Sequence, residues 1–325
     1  MSKKNLAFFF PLNSRYIRLI SKNHFPNEFF YSYFNLKKKN FKINIFDSRE
    51  NPKKLELKLL SIFEKIRNRI INFSYSKSII YNYKKKLQHV DVLFSFHDSF
   101  SLSVAKYRQH LKNDNIKLCC GFMGLSDLET RANKMLRKNV KKNIIDLLKN
   151  IDHIFFFSNE DRNTSCKNYQ IDIKKTSIIP FGVDINFWQP NFNDRNNFLL
   201  SVGSDFNRDY ETLVDSIPIN YKCSIISRMP INIKKNYNIE ILRGSYGDNF
   251  IDDSEIKQFY QKCKYLIITT HDVFQPSGQS VILQAMSCGA VVIFTKTKSK
   301  WYMPYLKHKE NCIMVDCYQK NQIKK

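Results

Sequence analysis

The stretch 271–295, HDVFQPSGQSVILQAMSCGAVVIFT, holds the residues whose types and spacing bear most directly on chemistry. Pro276-Ser277-Gly278 interrupts an apolar run, and from Ser280 the residues Ile282, Ala285 and Met286 fall on one helical face. Val281, Leu283 and Ala285 also alternate, so periodicity leaves helix and strand both open. If a helix starts here, its first N–H groups lack partners within it and lie at the positive end of its dipole. Such a helix start favours an anion, most naturally a phosphate. The same spacing fits any strand–helix–strand unit of an α/β protein, and spacing alone does not separate the two.

Positioning such a turn requires flanking strands. Residues 265–270 (YLIITT) read as a buried parallel strand, Cys288-Gly289 stops the helix, and 290–294 is a second apolar strand. Earlier, 6–10, 41–46, 90–96, 118–122 and 154–157 read as strands, with helix-like segments at 29–38, 101–111 and 131–150. After residue 190 come strands at 198–203, 223–228 and 239–242, with helices at 212–216 and 253–263. Strand–helix alternation repeated twice predicts an α/β chain of two Rossmann-like, doubly wound domains facing one cleft. Their expected extents are 1–184 and 185–325.

Two motifs resemble retaining GT-B glycosyltransferases of the glycogen-synthase-like group (family 4 type). The 271–295 stretch resembles their donor signature through Pro276, Gly278, Leu283, Ala285, Met286, Gly289, Val292 and Ile293. Gln275 and Gln284 stand where that group carries two glutamates, with one extra residue between them, and Val291 stands where proline is usual. The run 178–190, IIPFGVDINFWQP, resembles the group's crossing between domains, with Phe181 in place of asparagine; SNEDR from Ser158 resembles its S-x-x-x-R. Resemblance spreads over 152–311 and is weak before that.

The resemblance implies an enzyme that moves a sugar, with retention and without a metal or cofactor, from a nucleoside diphosphate to a glycan or lipid-linked acceptor. The setting would be cell-surface polysaccharide or glycolipid synthesis. The alternative is an impaired relative that binds a nucleotide sugar or glycan as a module. The first domain would take the acceptor and the second the donor. Gly203, Ser204, Arg208, Arg228, Ser277, Gly278, Gln279, Ser280 and Gln284 are the candidate donor-binding residues. Ser204 replaces the group's usual arginine, so Arg208 would carry charge against the diphosphate; a surface arginine paired with Asp205 or Glu211 is the other reading. Gln284 would hydrogen-bond the ribose through its amide oxygen, so Gln284→Glu should change affinity little. Gln275, Asp272 and His97 are the catalytic candidates. Gln275 would touch the sugar, Asp272 would supply the carboxylate that glutamine cannot, and His97 would meet the acceptor. A helix-capping or core role is the other reading of His97.

Composition bounds these ideas. The 325 residues allow two domains, and 43% hydrophobic content with 14% aromatic content implies a folded protein. The net charge of +24 suits an anionic membrane surface or nucleic acid, although abundant Lys, Asn and Ile also follow from compositional drift. No nucleic-acid-reading pattern accompanies the charge, so no nucleic acid is expected. There is no D-x-D, H-E-x-x-H, G-x-S-x-G or P-loop, and no glycine before Gly121 to form an N-terminal dinucleotide turn. The short apolar run before Pro11, Asn13 and Arg15 mimics a signal peptide only superficially, and the eight cysteines contain no C-x-x-C. A cytoplasmic protein with reduced thiols, at the inner face of the membrane, is expected. In the basic tract 52–86, Leu59, Ile62, Phe63, Ile66, Ile70 and Phe73 recur at helical spacing. A core-packed helix with a solvated basic face is expected there, with a membrane-surface helix as the alternative.

Overall fold

Twelve strands and the helices between them account for most of the described residues, which are 4–10, 25–39, 41–47, 54–72, 74–108, 115–191, 195–233, 238–243, 251–303 and 305–324 of a computed structural model. The expectations at Pro11, Asn13, Arg15, Phe73 and the turn at 244–246 fall outside the described residues. Contact clustering divides the chain into two units: Met1–Ser21 with Phe30–Pro180, and Lys22–Phe29 with Phe181–Lys325.

The first unit carries a six-stranded, all-parallel sheet of β1 (Asn5–Phe10), β2 (Lys42–Asp47), β3 (Val92–Phe96), β4 (Lys117–Phe122), β5 (His153–Phe156) and β6 (Thr176–Ile178). Their order is β2-β1-β3-β4-β5-β6. Its strands are apolar on both faces because helices cover both, as parallel sheets require. Phe9, Leu93, Leu118 and Ile154 join the core with Val140, Ile144 and Leu147 from the helix Arg137–Leu148. That helix begins later than its charge pattern suggests, since Glu129–Arg131 and Lys134–Leu136 are separate 3-10 turns. It behaves as an ordinary core helix, with Lys138 and Lys142 in solvent.

The second unit repeats the plan with β7 (Asn196–Val202), β8 (Lys222–Ile226), β9 (Ile239–Leu242), β10 (Cys263–Ile268), β11 (Val291–Thr295) and β12 (Ile313–Val315). The sheet order is β12-β11-β10-β7-β8-β9, again parallel. Adjacent residues go to opposite faces: Leu200 and Ile268 join one core layer, Leu199 and Ile267 the other. The connection reverses direction between β7 and β10. In a doubly wound sheet that switch point opens a crevice at the carboxyl ends of the strands, where ligands bind.

One expectation fails. The 52–86 tract is not one core-packed helix. Leu55–Ile71 is helical, Asn72 leaves it in a left-handed conformation, and Lys77–Tyr81 and Lys84–Leu87 follow as short helices. The stripe expected to pack is outside: Leu59, Ile62, Phe63, Ile66 and Ile70 are all more than half exposed, whereas Tyr75, Ile80 and Tyr83 further along the tract join the core. The helix instead docks through Glu64, whose buried carboxylate holds Lys77 N, Ser78 and Ser76. The thiols are all free. Burial pushes those of Cys223, Cys263 and Cys288 up to about 12, which leaves them unreactive.

Candidate functional site

The loop after β7 is fastened to the end of β10. Asp209 N donates to Thr269 O (3.0 Å), Thr269 Oγ1 donates to Asp209 O (2.7 Å), and His271 N donates to Asn207 O (2.8 Å). Asp209 also caps the helix Tyr210–Ser216 by accepting from Thr212 N at 3.0 Å. These bonds fix Arg208 at the switch point with a side chain only 3% exposed.

Two glycines make room for it. Gly203 (φ +151°) closes β7, and a Cβ there would fall inside the Arg208 guanidinium. Gly278 (φ +83°) precedes the helix Gln279–Ser287, and a Cβ there would lie 2.9 Å from Arg208 Nη1 and 2.8 Å from Ile268 Cγ2. Both positive φ values exclude most side chains on backbone grounds as well. The guanidinium is poorly used by the protein itself. Nε is 3.0 Å from Asp205 Oδ2 as an ion pair without hydrogen-bond alignment, and buried Nη1 has no hydrogen-bond partner among the described residues. A buried, unsatisfied cationic N–H is costly, and such groups ordinarily find a partner.

Around this centre, Asn207 Nδ2 donates to Ser277 Oγ at 3.0 Å and ties the Pro276–Gly278 turn to the Arg208 loop. Gln279 is buried and its N–H turns back to Pro276 O at 3.3 Å, while Ser280 lies one residue into the helix. Ser204 Oγ accepts from Arg228 N at 3.0 Å, and the Arg228 side chain is exposed. Thr270 and Thr295 pair through their hydroxyls at 2.9 Å beneath the turn. Sequence reasoning missed Asn207, although it adjoins Arg208. The chemistry supported here is anion binding: a buried cation, a helix start and a glycine turn converge at one strand switch.

The remaining candidates have other engagements. Asp272 Oδ1 accepts from Lys298 N (2.8 Å) and Oδ2 lies 3.4 Å from Lys298 Nζ, which balances its charge. Gln275 is half-buried, and its carbonyl accepts from Ser277 N at 2.7 Å. Gln284 is buried, its Nε2 donates to Glu28 Oε1 at 2.8 Å, and its Oε1 accepts from Tyr260 OH at 3.4 Å. Glu28 also accepts from Trp188 Nε1 (2.9 Å) and Asp184 N (3.3 Å); its burial raises the carboxyl above the usual range, against these donors. No sequence signal links Glu28 to a glutamine 256 residues away. His97 belongs to the first unit. It has φ +87°, its carbonyl accepts from Ser101 N (3.0 Å) at the start of the helix Asp98–Arg108, and its ring meets Tyr31 and Phe100 edge-on. It lines a cavity of about 510 Å³ with Glu64, Asn68, Tyr75 and Ser99.

No protein-family model matches the chain, and no curated protein matches it. Solved structures do, glycosyltransferases among them, and this chain has their GT-B fold. A sucrose-phosphate synthase from Thermosynechococcus elongatus aligns with a TM-score of 0.66 at 12% identity, covering 99% of this chain and 88% of that one. A glycosyltransferase from Rickettsia africae gives 0.57 at 15% identity, covering 100% and 87%. A trehalose-6-phosphate protein from E. coli bound with UDP-2-fluoro glucose gives 0.57 at 8% identity, covering 99% and 90%. At these identities the likeness speaks to fold.

Proposed function

We propose that this chain is a glycosyltransferase that moves a sugar, with retention, from a nucleoside diphosphate to a glycan or lipid-linked acceptor. The observation that carries the reading is Arg208, a buried guanidinium with an unpartnered Nη1 between Gly203 and Gly278 at the sheet's switch point. In this reading the donor diphosphate lies over the Gly278 turn, takes hydrogen bonds from Arg208 and the helix start, and leaves with its negative charge met by that cation and not by a metal. Ser277, Ser280 and Gln279 border the phosphates; Gly203, Ser204 and Arg228 border the nucleoside side. Gln275 faces the transferred sugar. Residues from about 185 onward form the donor domain, and the first 184 form the acceptor domain, with His97 at its acceptor side. The protein works in the cytoplasm against the inner membrane face, in surface polysaccharide or glycolipid synthesis.

A second reading, a nucleotide-sugar binding module, is favoured by one specific observation. The carboxylate of Asp272 is already matched by Lys298, and Gln275 brings no charge to the developing oxocarbenium ion. Release of nucleoside diphosphate from a panel of sugar nucleotides separates the two. The UDP sugar held by the E. coli neighbour makes UDP sugars the first donors to try. Turnover supports the enzyme, binding without turnover supports the module, and neither binding nor turnover refutes both.

A further inference from the structure

The helix Leu55–Ile71 is mounted with its amphipathicity reversed. At 3.6 residues per turn, Leu55, Leu59, Ile62, Phe63, Ile66 and Ile70 form one stripe roughly 100° wide along about 25 Å of helix. All six are between 52% and 73% exposed. The opposite side faces the protein, where Leu57, Leu60 and Ile71 are half-buried and polar bonds fasten it. Glu64 is 5% exposed and fastens the start of the helix Lys77–Tyr81. Arg67 stacks on the Tyr75 ring at 3.7 Å and donates to Asn68 Oδ1 at 2.7 Å, and Asn72 Nδ2 donates to Arg131 O at 2.8 Å. Leaving this stripe in water is unfavourable. The polar anchors hold it outward.

Charge identifies what covers it. Lys54, Lys58, Lys65 and Arg69 are exposed and fall on one flank of the apolar stripe, whereas Glu56 is the only acidic residue exposed on this helix. A second copy docking antiparallel on this face would set two cationic rows side by side. A bilayer with anionic headgroups satisfies both features at once: acyl chains receive Phe63 and its apolar neighbours, and lipid phosphates receive the cations. We infer that the Leu55–Ile71 helix lies in the interfacial layer of an anionic membrane, apolar stripe inward, and anchors the first unit there. This rests on the membrane contact in the proposed function and supplies its surface; it does not depend on sugar transfer.

The test uses the full chain without sugar nucleotide. Flotation with phosphatidylcholine vesicles, with and without phosphatidylglycerol, is measured at low and high salt for wild type, Phe63→Ser/Ile66→Ser and Lys58→Gln/Lys65→Gln/Arg69→Gln. Because the substituted side chains are exposed, all three proteins should show the same circular dichroism and melting. Wild type should bind only the anionic vesicles. Each multiple variant should lose affinity by about tenfold or more, and a Phe63→Trp protein should shift its emission to the blue on binding. Loss in the cationic variant alone would overturn the inference in favour of charge without insertion. Equal binding to neutral vesicles, or no binding at all, would also overturn it. So would a wild-type dimer in light scattering that Phe63→Ser/Ile66→Ser dissociates. Failure to bind nucleoside diphosphates would refute the donor reading and leave this result untouched.

Discussion

Arg208→Ala is the perturbation on which the donor reading turns. The side chain is 3% exposed, yet its one ion-pair partner among the described residues is Asp205, whose own side chain is 30% exposed and can be hydrated after the change. Truncation therefore takes little from the fold, and melting should change modestly. Ligand binding is another matter. A lost hydrogen bond to a charged group costs roughly 1.5–3 kcal/mol, so Kd for a diphosphate should rise by about 10- to 150-fold at 25 °C. The assay is calorimetric titration of a nucleoside diphosphate and its parent nucleoside into both proteins. The nucleoside should bind both alike, because Arg208 is assigned to phosphate only. Arg208→Lys should fall between, keeping charge but losing the planar fork that Gly203 and Gly278 accommodate. Unchanged diphosphate affinity in a folded Arg208→Ala protein would refute the reasoning.

Four further expectations accompany it. Gly278→Val should abolish diphosphate binding, since its side chain enters the Arg208 and Ile268 contacts, with partial loss of stability from the φ of +83°, read by thermal melting beside titration. Asp161 is buried and accepts from Gly124 N and Ser126 N, and burial raises its carboxyl to about 6 from an ordinary 3.8. The folded state thus holds this proton more tightly than the unfolded, so its contribution is present below about pH 4 and is lost as pH rises through 6; the difference in unfolding free energy between wild type and Asp161→Asn should change by about 3 kcal/mol over that window. If the wild type turns over, Gln275→Ala should lower kcat more than it raises KM in steady-state kinetics. Gln284→Glu should destabilise the protein by about 1–3 kcal/mol, because it replaces a donor 2.8 Å from Glu28 with a second carboxylate, and adding Glu28→Gln should restore stability in a double-mutant cycle.

Much of the fold was legible because buried parallel strands leave dense apolar runs and their helices leave caps and glycines. The 265–270 and 290–294 runs lie within a residue or two of β10 and β11, and the Gly278 turn does precede a helix. Arg208 was legible as the cation left once Ser204 stood in place of the resembled group's arginine, but its burial was not, because nothing in the sequence tells that two glycines clear space for a guanidinium. The 52–86 tract misled for a different reason. Periodicity gives the width of an apolar face but not which way it points, and the choice here was made by Glu64, one buried carboxylate with its partners 12 to 14 residues away. Glu28 was invisible because it is brought to Gln284 by the tertiary fold.

The two glutamines at the donor signature are therefore different kinds of departure. Gln284 keeps a carboxylate nearby: Glu28 reaches its amide and is held by Trp188 Nε1 and Asp184 N as well. A glutamine suits that neighbour because it can donate, whereas a glutamate would repel it, so the substitution and the N-terminal carboxylate form one consistent arrangement. Gln275 is a departure of charge: it stands where the resembled group carries a glutamate. The carboxylate closest in sequence, Asp272, is bound by the backbone and side chain of Lys298 and brings no uncompensated charge. If Gln275 faces the transferred sugar as proposed, an interaction that matters only as charge develops is lost there, while the groups that would bind a ground-state diphosphate, Arg208 and the Gly278 turn, are in place. Under the proposed donor reading, binding and turnover should separate at Gln275, and the kcat-against-KM measurement on Gln275→Ala reads that separation.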